Sequence, residues 1–435
     1  MSSSGSLRYR GRSALYALAL GVCACSPSTT VKVALYGDLP TLQREIERAD
    51  KAGELDRGAV VKLADALARR ELAAAQGESG ARRVRQLRAC AAPLSDALGE
   101  RAEGKDDVAA EAALALLAQR KLAAEPLLEA HARDSNGAWR GVAARAALRR
   151  VDVAQRRRWF EDPDQRVRRA ALEAALEAPD AGDLEPALES LRLDPDPLVQ
   201  SLAARLAGTL GGEAAVLGLR DRYERADGPT QLGIIDAWAV PASFRAGGER
   251  ELRRVLDLAQ DTNSVAAARA LLASAPKDAA VIGVLEHAIR DGGDAERRLA
   301  IATAPTGDDS IVKALLDAAK DKRPAIAAAA WERLSPLPKH RSDAFRALRA
   351  LAQVKGAGGD DARAALARLG DRTVVPGLIA DVKTAEPWRR QAAALDLFDL
   401  GEAGAAARAL ADPDPGVRTN VACGVLSRDF REPRG

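Results

Sequence analysis

Apolar positions along this chain recur with the period of a helix, over and over. In LVQSLAARLAGTL, from Leu198, the residues Val199, Leu202, Ala203, Leu206 and Ala207 fall at i, i+3, i+4, i+7 and i+8, one face of a helix. Val167, Ala170, Ala171 and Ala174 repeat most of that face, as do Trp139, Val142, Ala143 and Ala146, then Ile326, Ala329, Ala330 and Leu334, and Trp388, Ala392 and Leu395. A short break and a second apolar helix follow most of them, as in AGDLEPALESLRL (181–193), GGEAAVLGLRDRYE (211–224) and DDSIVKALLDAAK (308–320). The two-helix unit restarts near Asp134, Asp162, Asp194, Asp227, Asp261, Asp291, Asp321, Gly358, Ala385 and Asp412, a period of about 30 residues that marks a stacked array. A further pair over 106–133 precedes the first clear start. Strand-like alternation is absent from the pattern.

Three restarts share a signature: EDPDQRVRRAALEAAL from Glu161, LDPDPLVQSLAARLAG from Leu193 and ADPDPGVRTNVACGVL from Ala411. Asp162, Asp194 and Asp412 each read as helix caps, and the following Pro suits a first turn, where its missing N–H costs nothing. The signature resembles HEAT repeats, specifically the short PBS-lyase HEAT-like repeats, over roughly 105–430. The resemblance implies an all-α fold: a right-handed α-solenoid of the armadillo/HEAT type, with about ten helix pairs. It also implies that the Asp before the helix pairs with the Arg after Val in a neighbouring unit, which gives Asp162, Arg168, Asp194, Asp412 and Arg418 a stacking role. Gln200 and Ala327 stand where two of those Arg residues would be. The physical sense is plain, since a helix pair this short cannot bury its apolar face alone and must lean on a copy of itself.

Residues 36–100 carry helical faces of their own (Leu42, Ile46 and Ala49; Val60, Leu63, Ala64, Leu67 and Ala68) and read as a helical N-terminal cap. Gly77–Gly80 and 99–107 are the expected loops, with one helix over 81–97 between them. Ten stacked pairs at a helix spacing of roughly 10 Å predict an open arc on the order of 100 Å. Cys90 and Cys423 lie near its opposite ends, so they are expected to remain apart as buried free thiols.

Composition sharpens the class. Apolar residues make up 47% of the 435-residue chain but aromatics only 3%, which suits thin, closely packed helical layers rather than a thick core of large side chains. With 65 basic and 62 acidic residues the net charge is +3, so bulk electrostatics give no reason to expect nucleic acid or an anionic membrane as partner. The first residues are a different text. Arg8, Arg10 and Arg12 precede the short apolar run ALYALALGV (14–22), too short to span a bilayer, and residues 1–24 read as an export signal. The following VCAC resembles a bacterial lipobox. That resemblance implies cleavage before Cys25, acylation of Cys25, a flexible tether over 25–35 and residence in the cell envelope, periplasm-facing or surface-exposed. An ordinary cleaved signal and a soluble secreted or periplasmic protein is the alternative.

No catalytic constellation is legible. His131, His287 and His340 lack metal-ligand spacing, no serine sits in a nucleophile frame, and no Gly-rich loop follows a strand. No cofactor, metal or small-molecule substrate is expected. Trp139, Trp331 and Trp388 read as packing residues, whereas Trp159 and Trp238 fit the repeat less well and are the candidate partner-binding residues. Arg clusters at 81–88 and 154–169 read as solvated helix faces. The expectation is therefore a membrane-anchored, non-catalytic scaffold that holds a protein partner on a concave helical face. A tetrapyrrole chromophore lyase, or a protein associated with one, is the alternative, and a HEAT-like DNA-binding repair protein the third.

Overall fold

The computed structural model describes residues 28–103, 108–119, 137–148, 151–258, 261–384 and 386–431, and among them every regular element is helical. The export signal over 1–24, Cys25, His131, Asp134 and Ala385 lie outside the described residues, as does the side chain of Trp139.

Six helices come first: α1 (Thr29–Tyr36), α2 (Leu39–Lys51), α3 (Arg57–Ala73), α4 (Gly77–Gln86), α5 (Ser95–Ala102) and α6 (Val108–Gln119). Two kinds of helix then alternate. The odd-numbered ones are α7 (Gly137–Ala147), α9 (Gln165–Glu177), α11 (Pro197–Leu210), α13 (Gly228–Trp238), α15 (Thr262–Leu272), α17 (Asp294–Thr303), α19 (Pro324–Leu334), α21 (Ala357–Arg368), α23 (Pro387–Asp399) and α25 (Pro415–Arg431). Between them lie α8 (Val153–Phe160), α10 (Leu184–Leu193), α12 (Gly212–Tyr223), α14 (Glu249–Leu258), α16 (Ala279–Asp291), α18 (Asp309–Ala318), α20 (Arg341–Leu351), α22 (Val375–Asp381) and α24 (Ala403–Ala407).

Each odd-numbered helix from α7 onward packs on the next odd-numbered one, and each even-numbered helix packs against an odd neighbour. Small residues permit the close approach within the row. In α11, a Cβ on Gly208 would lie 2.6 Å from the carbonyl oxygen of Ala237 in α13, so only glycine fits there. Larger side chains fill the space between the two kinds of helix: Leu172, Leu191, Leu219, Leu252, Leu285 and Leu315 are all fully or almost fully buried.

Helix α25 does not end the row. It packs on α3 and against α4, α4 packs on α6, and α6 packs on α7, so the helix contacts form a closed circuit. Cys90, in the turn after α4, and Cys423, in the middle of α25, are joined by a disulfide with their Cα atoms 5.2 Å apart across 333 residues of sequence. An open arc with two separated thiols is therefore not what the chain makes. Helix spacing sets the length of an array, but the rotation from unit to unit sets its curvature, and no residue pattern displays that rotation. Residues 36–100, expected as a cap on a free end, are instead the piece that joins the two ends.

Local expectations change too: α5 runs into the loop expected over 99–107, and the single helix expected over 81–97 is broken between Gln86 and Ser95. The tether expected over 25–35 gives way to α1, which starts on Ser28 as its N-cap and buries Ala34. Gly77–Gly80, expected as a loop, opens α4. Gly77 takes φ +58°, and a Cβ on Gly80 would overlap the backbone of Ala75 at 2.6 Å, so these glycines make a sharp turn between helices.

Candidate binding surface

The Asp-Pro-Asp signature divides its work between its two acids. The second acid caps the helix: Asp164 accepts from the N–H of Arg166, Asp196 from that of Leu198 and Asp414 from that of Gly416. The first acid, read from sequence as the cap, does something else. Asp162, Asp194 and Asp412 each accept from the N–H of the second acid in their own turn. Each also takes a guanidinium from the unit before: Arg140 on Asp162, Arg168 on Asp194 at 2.6 and 3.1 Å, and Arg390 on Asp412 at 2.6 and 2.9 Å. The same Arg reaches back to its own turn, Arg168 donating to the Asp162 carbonyl and Arg418 to the Asp412 carbonyl. One planar fork thus reads the position of two successive units at once. Where Gln200 replaces Arg, it still donates to the Asp194 carbonyl, and Arg222 supplies the charge from the neighbouring helix by donating to its amide oxygen.

Arg418 of α25 pairs outside the row. Its guanidinium lands on Glu71 of α3 at 2.8 and 3.0 Å, and Glu71 also takes Arg83 at 3.2 Å. Around this joint Arg408 pairs with Asp50 at 2.9 Å, Gln43 donates to the Ala411 carbonyl, and Arg57 lies 4.5 Å from the centre of the Phe398 ring. The α25–α3 joint thus uses the same Arg–carboxylate device as the repeats, with a glutamate from outside them supplying the acid.

A second line of ion pairs runs from odd helix to odd helix. Arg145 of α7 holds Glu173 and Glu177 of α9, Asp236 of α13 accepts from Arg269 of α15, and Glu332 of α19 accepts from Arg368 of α21 at 2.8 Å through both oxygens. Asp399 of α23 accepts from Arg428 of α25. Arg298 of α17 reaches Asp361 of α21 at 3.6 Å, past the intervening α19. Burial within this line pushes the Asp361 carboxyl up, and pushes that of Asp396 up to about 6, with Asp399 adding to the rise while Arg368 and Arg428 pull against it. The surface along this line is a mosaic of alternating charge.

The tryptophans distribute themselves contrary to expectation. Trp159 and Trp238, the candidate contact residues, are 7% and 0% exposed, and Trp238 stacks at a tilt on Tyr223 inside the core. Neither is displayed to a partner. Trp388, read as a packing residue, is 57% exposed. The reason is a register of one residue. Arg390, two positions on, makes the pairing that Arg168 makes, so Arg389 occupies the buried Val position and Trp388 matches Leu198, itself 47% exposed. The Arg–Asp spacing carried that register, but the apolar pattern alone did not. Of the histidines, His287 sits 3.3 Å from Asp291 one helical turn on, and among the described residues no group of three or more His, Cys, Asp or Glu is placed to hold a metal. Nor is any described helix long and apolar enough to cross a membrane.

No family model matches the chain, and no curated protein matches it. Among solved structures, an X-ray structure of the YibA protein of Escherichia coli is similar over 59% of this chain and 94% of its own, at 15% identity and a TM-score of 0.38. A likeness at that level does not establish a common fold.

Proposed function

We propose that this chain is a non-catalytic HEAT-type repeat protein of the bacterial cell envelope, anchored by acyl chains on Cys25, that holds a protein partner on its charge-patterned row of odd-numbered helices. The observation that carries the proposal is the Cys90–Cys423 disulfide, because such bonds persist in oxidising compartments outside the cytosol. It agrees with the export signal read independently from residues 1–24. The HEAT-type assignment is supported by the Arg–Asp relay between successive units and by the packing of each odd helix on the next. The scaffold role is supported by the partly exposed ion-pair line and by Trp388, a large aromatic that the fold leaves in solvent.

The deciding experiment is palmitate labelling of cells expressing the full chain and its Cys25→Ala variant. Globomycin-sensitive label on the parent and none on the variant is the expected result. Unlabelled, unprocessed protein in the cytosol would overturn the anchored reading and favour the lyase or DNA-binding alternatives. Crosslinking from intact envelopes, with Trp388→Ala as the comparison, then tests the partner surface. An unchanged crosslink pattern would remove Trp388 from it.

A further inference from the structure

Every joint between neighbouring units in the circuit is bridged twice, by packing and by the backbone that runs from one unit into the next. The joint between α25 and α3 is the exception. Residues meeting there are more than 300 positions apart in sequence, as in the Arg418–Glu71, Arg408–Asp50 and Gln43–Ala411 contacts. No stretch of backbone spans it locally. The Cys90–Cys423 bond is the covalent link at that place, and it does for this joint what the chain itself does for the others.

The joint is also polar for its degree of burial. Glu71 is 8% exposed, and Arg83 Nε, Gln86 Oε1 and Arg408 Nε are buried there without a hydrogen-bond partner. Such atoms recover hydrogen bonds to water when the joint parts, which lowers the cost of parting it. Cys90 and Cys423 are themselves 0% and 3% exposed. A reductant therefore reaches their sulfurs only through an opening of the joint.

We propose that the α25–α3 joint is a redox clasp: the circuit opens there and nowhere else, and the Cys90–Cys423 disulfide decides whether an opening is transient or lasting. In the reducing direction a thiolate of an external dithiol attacks one sulfur, releasing the other cysteine as a thiolate that takes up a proton. The second thiol of the reductant then resolves the mixed disulfide. The protein gains two electrons and two protons, and the dithiol leaves as its own disulfide. Oxidation is the reverse, with a disulfide oxidant as acceptor. The clasp rests on the same Cys90–Cys423 bond as the envelope proposal, but not on the partner or on Cys25, so its test is separate from the labelling of Cys25.

The test is the rate at which dithiothreitol reduces the oxidised full chain, followed by mass spectrometry of alkylated thiols. Arg418→Met weakens the clasp, and Arg168→Met removes the equivalent Arg–carboxylate pair from a joint that the backbone bridges. Arg418→Met is expected to be reduced about tenfold faster than the parent, the factor that follows from losing hydrogen bonds to a charged group, while Arg168→Met keeps the parental rate. Equal acceleration in both would mean that the bond is exposed by unfolding of the whole molecule, and acceleration in neither that the joint does not gate it. Either result overturns the clasp. Hydrogen exchange on the reduced parent provides a second reading that needs no variant. Faster exchange confined to α25, α3 and α4 agrees with the proposal, and a uniform increase or no change contradicts it.

Discussion

Asp396 shows how a single side chain carries the cost of a crowded surface. Its carboxyl titrates near 6 because burial disfavours the charged form more than Arg368 and Arg428 stabilise it. The folded state thus holds this proton more tightly than the unfolded chain, whose Asp titrates near 3.8. Ionised Asp396 therefore destabilises the fold fully above pH about 6, and the penalty fades as pH falls toward 4. Asp396→Asn is expected to raise unfolding free energy by about 1–2 kcal/mol above pH ~7 and by nothing near pH ~4, measured by chemical denaturation across that range. Arg156 presents the opposite case. It is 4% exposed and satisfied on every side: Asp183 at 2.7 Å, the Leu148 carbonyl at 2.9 Å and the Ala178 carbonyl at 2.8 Å. Arg156→Met strands the fully buried Asp183, with an expected loss of about 3–5 kcal/mol in the same measurement.

At the scale of the element, the helices were largely legible. The marks at Asp162, Asp194, Asp227, Asp261, Asp291, Asp321 and Asp412 each stand within three residues of the start of an odd-numbered helix, because caps and first-turn prolines leave a chemical trace in the sequence. The division of labour inside Asp-Pro-Asp was not legible. Which acid caps and which receives an Arg from the neighbouring unit depends on contacts between units, and these leave no periodicity to read. Trp388 was misplaced for a related reason: a one-residue shift preserves the helical spacing of Ala392 and Leu395 while rotating the aromatic into solvent. Gly208 tests the close packing of α11 on α13. Gly208→Ala would push its methyl against the Ala237 carbonyl, with an expected cost of about 1–3 kcal/mol, whereas Ala is the better helix former by about 1 kcal/mol where no neighbour intervenes. A stabilised Gly208→Ala protein in thermal denaturation would show that the two helices are further apart.

Over the whole molecule, closure converts a run of local contacts into one of very long range. The disulfide spans 333 residues, and tying so large a loop restricts the unfolded chain enough to contribute about 6 kcal/mol on the chain-entropy estimate. The oxidised protein is therefore expected to unfold at distinctly higher denaturant than the Cys90→Ser, Cys423→Ser double variant. If the two unfold at the same midpoint, the bond adds nothing to a joint already held by packing. This was the feature furthest from view in the sequence: Cys90 and Cys423 are two residues among 435, and their meeting depends on a small rotation repeated at every unit between them.

A circular arrangement has a copy number, as a linear one does not. An open array can gain or lose a helix pair by duplication or deletion and merely becomes longer or shorter. Here an added or excised pair would swing α25 away from α3, leaving Arg418 without Glu71 and Cys423 without Cys90. Closure therefore tolerates differences in wording between units, as Gln200 and Ala327 illustrate, but not a change in their number.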